Sequence, residues 1–450
     1  MKRKAAIAAI SLALAAMLSG CSFVGLDAGT LMHAPKPTGT NEADIQKLLD
    51  RTAGDDFTLK YPADGNNRSA ILEHPVGAAG SDSAVAFYQK NDEPTTTNVV
   101  FMQKSGSGWK IIGTFSEQAS QVERVCFGDL DGDGRDETIV GWGSSLNNNS
   151  SLCVYSYHNG KMSEMKLNQN YSEMEVMDFL GDGRSEIFTA SVTAGDQPAA
   201  ARLIRITGGS MEVLGTAPLD VGVTRYASVK AGLLNEKQKG IVLDGIKASN
   251  TMVTEVLYWD AGRKKLVAPF YDAATKTAKY TTRSTSVLSK DINGDKIIEI
   301  PIVSLMPGYV PTTAEEEDYL TAWQRYDTAT NTFVCVMNMV INNTDGYWFS
   351  IPDMWKGKVT VKLDPSTRSF SFYEWKDTPA EGSAEGAGKQ LLKIEVFTSK
   401  EWSGISSSPN YFEIYAKDSL VYAAARPTPG NPLSLTEAEI KEAFQPIQEE

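Results

Sequence analysis

The sequence predicts a mainly β protein: a β-propeller of about five blades, up to seven if the C-terminal strands add blades, followed by a small α+β domain. Three observations predict it. Helical periodicity nearly vanishes between residue 54 and the C-terminus. Short runs rich in Val, Ile, Tyr and Phe replace it, broken by Gly, Asn, Asp and Ser. A unit of strand, acidic glycine loop, acidic residue and strand recurs, with first loop positions at residues 74, 129, 178, 231 and 291. The steps between them are 55, 49, 53 and 60 residues, each with room for the four strands of a blade.

Composition excludes several classes. The 450 residues are 42% hydrophobic and 22% charged, the balance of a folded chain rather than a disordered one. A net charge of -13 repels phosphate, so no nucleic-acid partner is expected. Four cysteines in this length do not make a disulfide scaffold. Cys126, Cys153 and Cys335 lie in strand-like apolar runs and read as buried free thiols, with a Cys126–Cys153 bridge left open.

The N-terminal segment comes first. Met1-Lys2-Arg3-Lys4 is a basic start, Ala5–Met17 is an apolar run too short to span a bilayer, and Leu18-Ser19-Gly20-Cys21 follows. This resembles the lipobox of bacterial lipoproteins. The resemblance implies that residues 1–20 are a signal peptide and that Cys21 is lipidated and becomes the mature N-terminus. Two or three acyl chains anchor stably where one is marginal. Cleavage would remove Lys2, Arg3 and Lys4 and take the net charge from -13 to -16. Residues 21–42, with Pro35, Pro37 and Gly39, read as an extended tether.

Residues 43–342 hold one short helix and the repeat body. Ile45, Leu48 and Leu49 are helically spaced over Glu42–Ala53, with Asn41 as cap and Gly54 as stop. Blades are expected at about 82–128, 137–177, 186–230, 240–290 and 299–342. The run Ser69–Glu73 would close the ring against the fifth. Residues 343–450 read as the α+β domain, with strands at Lys358–Leu363, Ser369–Trp375, Leu391–Thr398, Tyr411–Tyr415 and Leu420–Ala424. Its last helix, Glu437–Phe444, carries a Thr436/Glu439 capping box and a Leu435/Ile440 staple.

The acidic loops carry the chemistry. Calcium takes six to eight oxygen ligands, and carboxylates at alternate positions of a turning backbone supply them. The fullest loop offers Asp129, Asp131, Asp133, the Arg135 carbonyl and Glu137. A second offers Asp291, Asn293, Asp295, the Ile297 carbonyl and Glu299, with Lys296 where the first has Gly134. A third has Asp178, Asp182 and Glu186 but Leu180 at its third position, and reads as a plain side-chain-stabilised turn. Calcium at the first two would be structural. Strands flank these loops and Val140 stands at position 12, so they are not EF-hands.

Phe127-Gly128 before the first loop, and the loop pattern itself, resemble the FG-GAP or VCBS repeats of integrin-like and bacterial β-propellers. With the lipobox, the chain resembles VCBS-repeat lipoproteins of Gram-positive bacteria. The resemblance implies a calcium-loop propeller anchored to the outer face of the cytoplasmic membrane.

No catalytic constellation is visible. His33, His74 and His158 are the only histidines and do not approach one another in any recognisable motif. Trp142, Trp259, Trp323 and Trp348 read as blade core rather than sugar-stacking platforms. The expected function is a non-catalytic binding or scaffold module at the cell envelope, its partner a protein or an envelope polysaccharide. The alternatives are a carbohydrate-active enzyme with paired carboxylates and a lectin-like surface module.

Overall fold

The computed structural model describes residues 40–54, 56–144, 147–167, 169, 171–309, 319–376, 387–425 and 430–447. Cys21 and the segment read as signal peptide lie outside the described residues. No helix among the described residues is long and apolar enough to cross a membrane. The chain is mainly β, in several antiparallel sheets, and divides into two compact units.

Among the described residues, the first unit comprises those from 40 to 122 and 157–163. Helix α1 (Thr40–Ala53) is followed by β1 (Phe57–Leu59), β2 (Ile71–Glu73), β3 (Ser83–Lys90), β4 (Thr97–Ser105) and β5 (Gly108–Glu117). The helix starts two residues before the expected Glu42. Asn41 is therefore inside it, and its amide reaches Glu73 Oε2 at 3.3 Å instead of capping. Gly54 ends the helix at φ +85° as its sequence position implies. Ile45 and Leu49, one turn apart on the apolar stripe, pack on Ala84, Ala86, Val100 and Met102 of β3 and β4. Strand β2 pairs with β3, Ile71 opposite Ala86, so the Ser69–Glu73 run joins the first sheet and does not close a ring on the fifth.

The second unit contains successive four-stranded meanders. They are β6 (Gln121–Gly128), β7 (Glu137–Ser144), β8 (Asn147–His158) and β9 (Lys161–Leu167); then β10 (Glu173–Met177), β11 (Glu186–Ser191), β12 (Ala200–Thr207) and β13 (Ser210–Pro218). Next come β14 (Val223–Leu233), β15 (Lys239–Lys247), β16 (Met252–Asp260) and β17 (Lys265–Val267), and a small hairpin, β18 (Tyr271–Asp272) and β19 (Thr277–Ala278). The following sheet has β20 (Ile300–Leu305), β21 (Tyr319–Asp327), β22 (Thr332–Asn342) and β23 (Tyr347–Ser350). Residues 121–122, at the start of β6, and 157–163, around the β8–β9 turn, fall in the other unit.

The sheets are offset by one strand from the expected blades. Each of the first two acidic loops, 129–136 and 178–185, is a hairpin connection inside a sheet: β6 neighbours β7, and β10 neighbours β11. A short antiparallel connection pairs the strands it joins, whereas the sequence reading placed it between sheets. The 291–299 loop differs. No regular strand precedes it; residues 281–290 make only isolated bridges, Met252 with Arg283 and Lys290 with Glu299.

Neighbouring sheets of this unit share cores. Ile139, Leu152 and Val154 pack with Ile187 and Ile204 between the first and second meanders. Phe188 and Leu203 pack with Ile241, Leu243 and Leu257 between the second and third, and Ile300 and Tyr326 join the same core from β20 and β21. Each central strand is therefore covered on both faces. That is why β15 and β16 are nearly continuous runs of buried residues rather than alternating ones.

The C-terminal elements are β24 (Val359–Asp364), β25 (Ser369–Trp375), β26 (Ala387–Thr398), α2 (Ser399–Ile405), β27 (Tyr411–Lys417), β28 (Leu420–Ala425), α3 (Glu437–Ala443) and β29 (Phe444–Pro446). The expected capping box forms at Thr436 and Glu439, and Leu435 and Ile440 are buried together. This region is not walled off at residue 343. Strand β23 pairs with β22 across that position, β29 extends the same sheet, and Met306 and Val340 share one core with Trp355, Phe370 and Phe372.

Cys126, Cys153 and Cys335 are not joined in a disulfide. Cys153 is buried as expected, Cys126 is half-buried, and Cys335 is exposed. The Cys335 position belongs to a stretch of β22 with little cover, burial pattern notwithstanding its apolar sequence neighbours. Trp142 and Trp323 are buried in the sheets.

Candidate metal loops

The three acidic loops share one backbone design. Their first aspartate folds its carboxylate over the loop and accepts backbone N–H bonds. Asp129 accepts from Gly132 at 2.6 Å and Gly134 at 2.9 Å. Asp178 accepts from Gly181 at 2.6 Å. Asp291 accepts from Gly294 at 2.7 Å and Lys296 at 2.8 Å. The ninth residue is a buried glutamate. One of its oxygens accepts a backbone N–H from the start of the loop: Glu137 from Leu130 at 2.8 Å, Glu186 from Phe179 at 3.0 Å, Glu299 from Ile292 at 3.0 Å.

In the first loop, carboxylate oxygens of Asp129, Asp131 and Glu137 lie within 4.8 Å of one another. Oxygens on opposite sides of a calcium ion at its usual ligand distances stand about 4.6–5.2 Å apart. Asp133, read as a fourth side-chain ligand, is turned to the guanidinium of Arg135, and its Oδ1 accepts the Arg135 N–H at 3.0 Å. Burial pushes the Glu137 carboxyl up to about 8; the Leu130 N–H opposes this, and Asp131, Asp133 and Asp129 add to it.

The 291–299 loop repeats this arrangement, with Asp291, Asp295 and Glu299 oxygens within 4.8 Å. Asn293 accepts from the Asp295 N–H at 3.0 Å and donates to its Oδ2 at 3.0 Å. Ile297, at the seventh position like Arg135, donates its N–H to Asp295 at 2.8 Å. Glu299 is fully buried, and its Oε1 has no hydrogen-bond donor among the described residues. Burial pushes its carboxyl up to about 6, against the Ile292 N–H. Lys296 adopts φ +70°, the left-handed region that Gly134 occupies at +82°.

The middle loop carries its own cation. Arg205, on β12, donates through Nε to Glu186 Oε1 at 2.8 Å and through Nη2 to Asp182 Oδ2 at 2.7 Å. Lys239 reaches Asp178 Oδ2 at 3.3 Å. The plain-turn reading of this loop had no sight of Arg205, which is nineteen residues from Glu186 and meets it only through strand register.

The degenerate loop at 74–82 is different again. His74, Glu73, Ser81, Asp82 and Ser83 line an open cavity of about 390 Å³, with Asp82 paired to Lys104 at 3.1 Å.

No protein-family model matches the chain, and no curated protein matches it. Solved structures similar to it include a rhamnogalacturonan lyase from Bacillus licheniformis, 12% identical, over 71% of this chain and 73% of that one, with a TM-score of 0.30. An exotype rhamnogalacturonan lyase is 11% identical over 81% and 91%, with a TM-score of 0.30. A protein from Lactobacillus plantarum is 10% identical over 76% and 89%, with a TM-score of 0.31.

Proposed function

We propose that this chain is a lipid-anchored, extracytoplasmic β-propeller lipoprotein, in which calcium at two loops is structural and the body is a non-catalytic binding or scaffold module at the cell envelope. The observation that carries the reading is the pair of carboxylate clusters, Asp129/Asp131/Glu137 and Asp291/Asp295/Glu299. Both are built from the same loop design, and each has a buried glutamate raised in pKa by burial. A divalent cation would neutralise these groups and tie the β6–β7 connection and the entry to β20 in place. The meanders of the second unit, with cores shared between successive sheets, suit stacked blades. The FG-GAP/VCBS resemblance and the lipobox at Leu18–Cys21 supply the remaining parts of the reading.

The test is calcium titration of the chelator-stripped protein. Calorimetry is expected to show two sites. Saturation to a hundred times Kd adds about 2.7 kcal/mol of stability per site. A melting curve indifferent to both chelator and added calcium would remove the structural-calcium reading. Labelling with a radioactive fatty acid, lost on Cys21→Ser, tests the anchor.

A further inference from the structure

We infer that the residue across the strand from the ninth loop position decides whether each loop takes a divalent cation. The inference rests on the calcium reading for the first and last loops and extends it to the whole set. In the middle sheet Ile187 faces Ile204, so the next pair outward is Glu186 and Arg205. In the first, Thr138 faces Tyr155, which continues to Glu137 and Ser156. In the last, Ile300 faces Gln324, which continues to Glu299 and Arg325. Directly opposed side chains have Cβ atoms about 4.5–5.5 Å apart. An arginine there has the reach to seat its guanidinium among the loop carboxylates.

Each sheet makes a different choice. Arg205 is the resident cation of its loop. It joins Glu186, which is fully buried, to Asp182. Ser156 is small and uncharged and supplies no cation across the strand; the loop's own Arg135 is turned to Asp133. Arg325 has the right position but points elsewhere: it pairs with Glu236 at 3.2 Å, on the turn between β14 and β15. That turn follows residue 231, the fourth of the recurring loop positions. The Glu236 side chain is 71% exposed, so this pair is weakly held. Meanwhile Glu299 Oε1 is buried and has no donor among the described residues. Glu236 thus biases Arg325 only slightly away from the 291–299 loop, and Arg325 is the internal competitor of a metal there.

Calcium calorimetry of the purified full chain and four variants tests this. Arg205→Ser is expected to gain a third, weaker site. Ser156→Arg is expected to lose one of two. Glu236→Gln, at an exposed position, frees Arg325 and weakens one site by up to about fivefold; adding Arg325→Ser restores it. If wild type binds two ions and all variants match it, the inference is overturned while the calcium reading stands. If wild type binds none, the calcium reading fails, and a site gained by Arg205→Ser still supports the cross-strand rule; none gained overturns it. Should Arg205→Ser not fold, Arg205→Gln takes its place with the same expected gain of a site.

Discussion

Arg283 and Asp244 form an ion pair at 3.0 Å with both side chains out of solvent. Asp244 also accepts from Thr254 Oγ1, and from Ser289 through N at 2.8 Å and Oγ at 2.9 Å. This network fastens the irregular 281–290 segment to β15, where a regular strand would have used ladder bonds. Removing one partner of a buried pair costs about 3–5 kcal/mol, because the other charge stays buried alone. Arg283→Met is therefore expected to lose that much in urea unfolding. Adding Asp244→Leu should recover part of the loss. A single-variant cost below 1 kcal/mol would mean that the segment is held by something else.

Glu255 predicts a pH dependence. Burial pushes its carboxyl up to about 8; the Asp220 N–H opposes this, the Asp220 carboxylate adds to it, and Tyr226 and Lys247 oppose it. The folded state holds this proton more tightly than the unfolded state does. Its stabilising effect is complete below the unfolded pKa, shrinks as pH rises, and is gone above about 8. The effect is on the order of a few kcal/mol. Denaturation from pH 5 to 9 is expected to show wild-type stability falling relative to Glu255→Gln. Parallel curves for the two proteins would contradict this.

The β character was legible because it is local. Period, turn residues and the spacing of the loops all sit within a few residues of one another, and the strands from Val359 to Ala425 fell close to their expected ranges. Sheet membership was not legible. Whether the 129–136 loop joins strands of one sheet or of two depends on pairing, and both arrangements give the same hydrophobic pattern. The loop carboxylates were readable as a motif. Their counter-charges were not, since Arg205 and Lys239 reach the middle loop across strands. Register arithmetic from Glu186 would have found Arg205 only once the hairpins were known. Asn41 failed as a cap for a simpler reason: the helix continues through it to Thr40.

Glu137→Gln separates metal binding from turn formation. The amide oxygen keeps the Leu130 N–H bond, so the loop retains its 2.8 Å closure. The substitution removes a buried carboxylate facing Asp129 and Asp131. In chelator the variant is expected to be at least as stable as wild type. In calcium it should fall behind by about 2–3 kcal/mol at saturating ion, the linkage contribution of one site. Equal loss in both conditions would show that the glutamate acts only within the turn.

Gly134 and Lys296 occupy equivalent loop positions with the same left-handed backbone. A Cβ built on Gly134 meets nothing within 4 Å, so its substitution tests the backbone alone. A left-handed L-residue costs roughly 1–2 kcal/mol. Losing glycine's extra unfolded-state entropy returns about 0.5–1 kcal/mol. Gly134→Ala should therefore destabilise by about 1 kcal/mol, and Lys296→Gly should stabilise by a similar amount. The second change also removes a positive charge beside Asp291 and Asp295, so both are best compared at about 1 M salt, where the Debye length falls to roughly 3 Å. Urea midpoints moving in opposite directions are expected. Midpoints moving the same way would mean that side-chain contacts, not φ, govern these two positions.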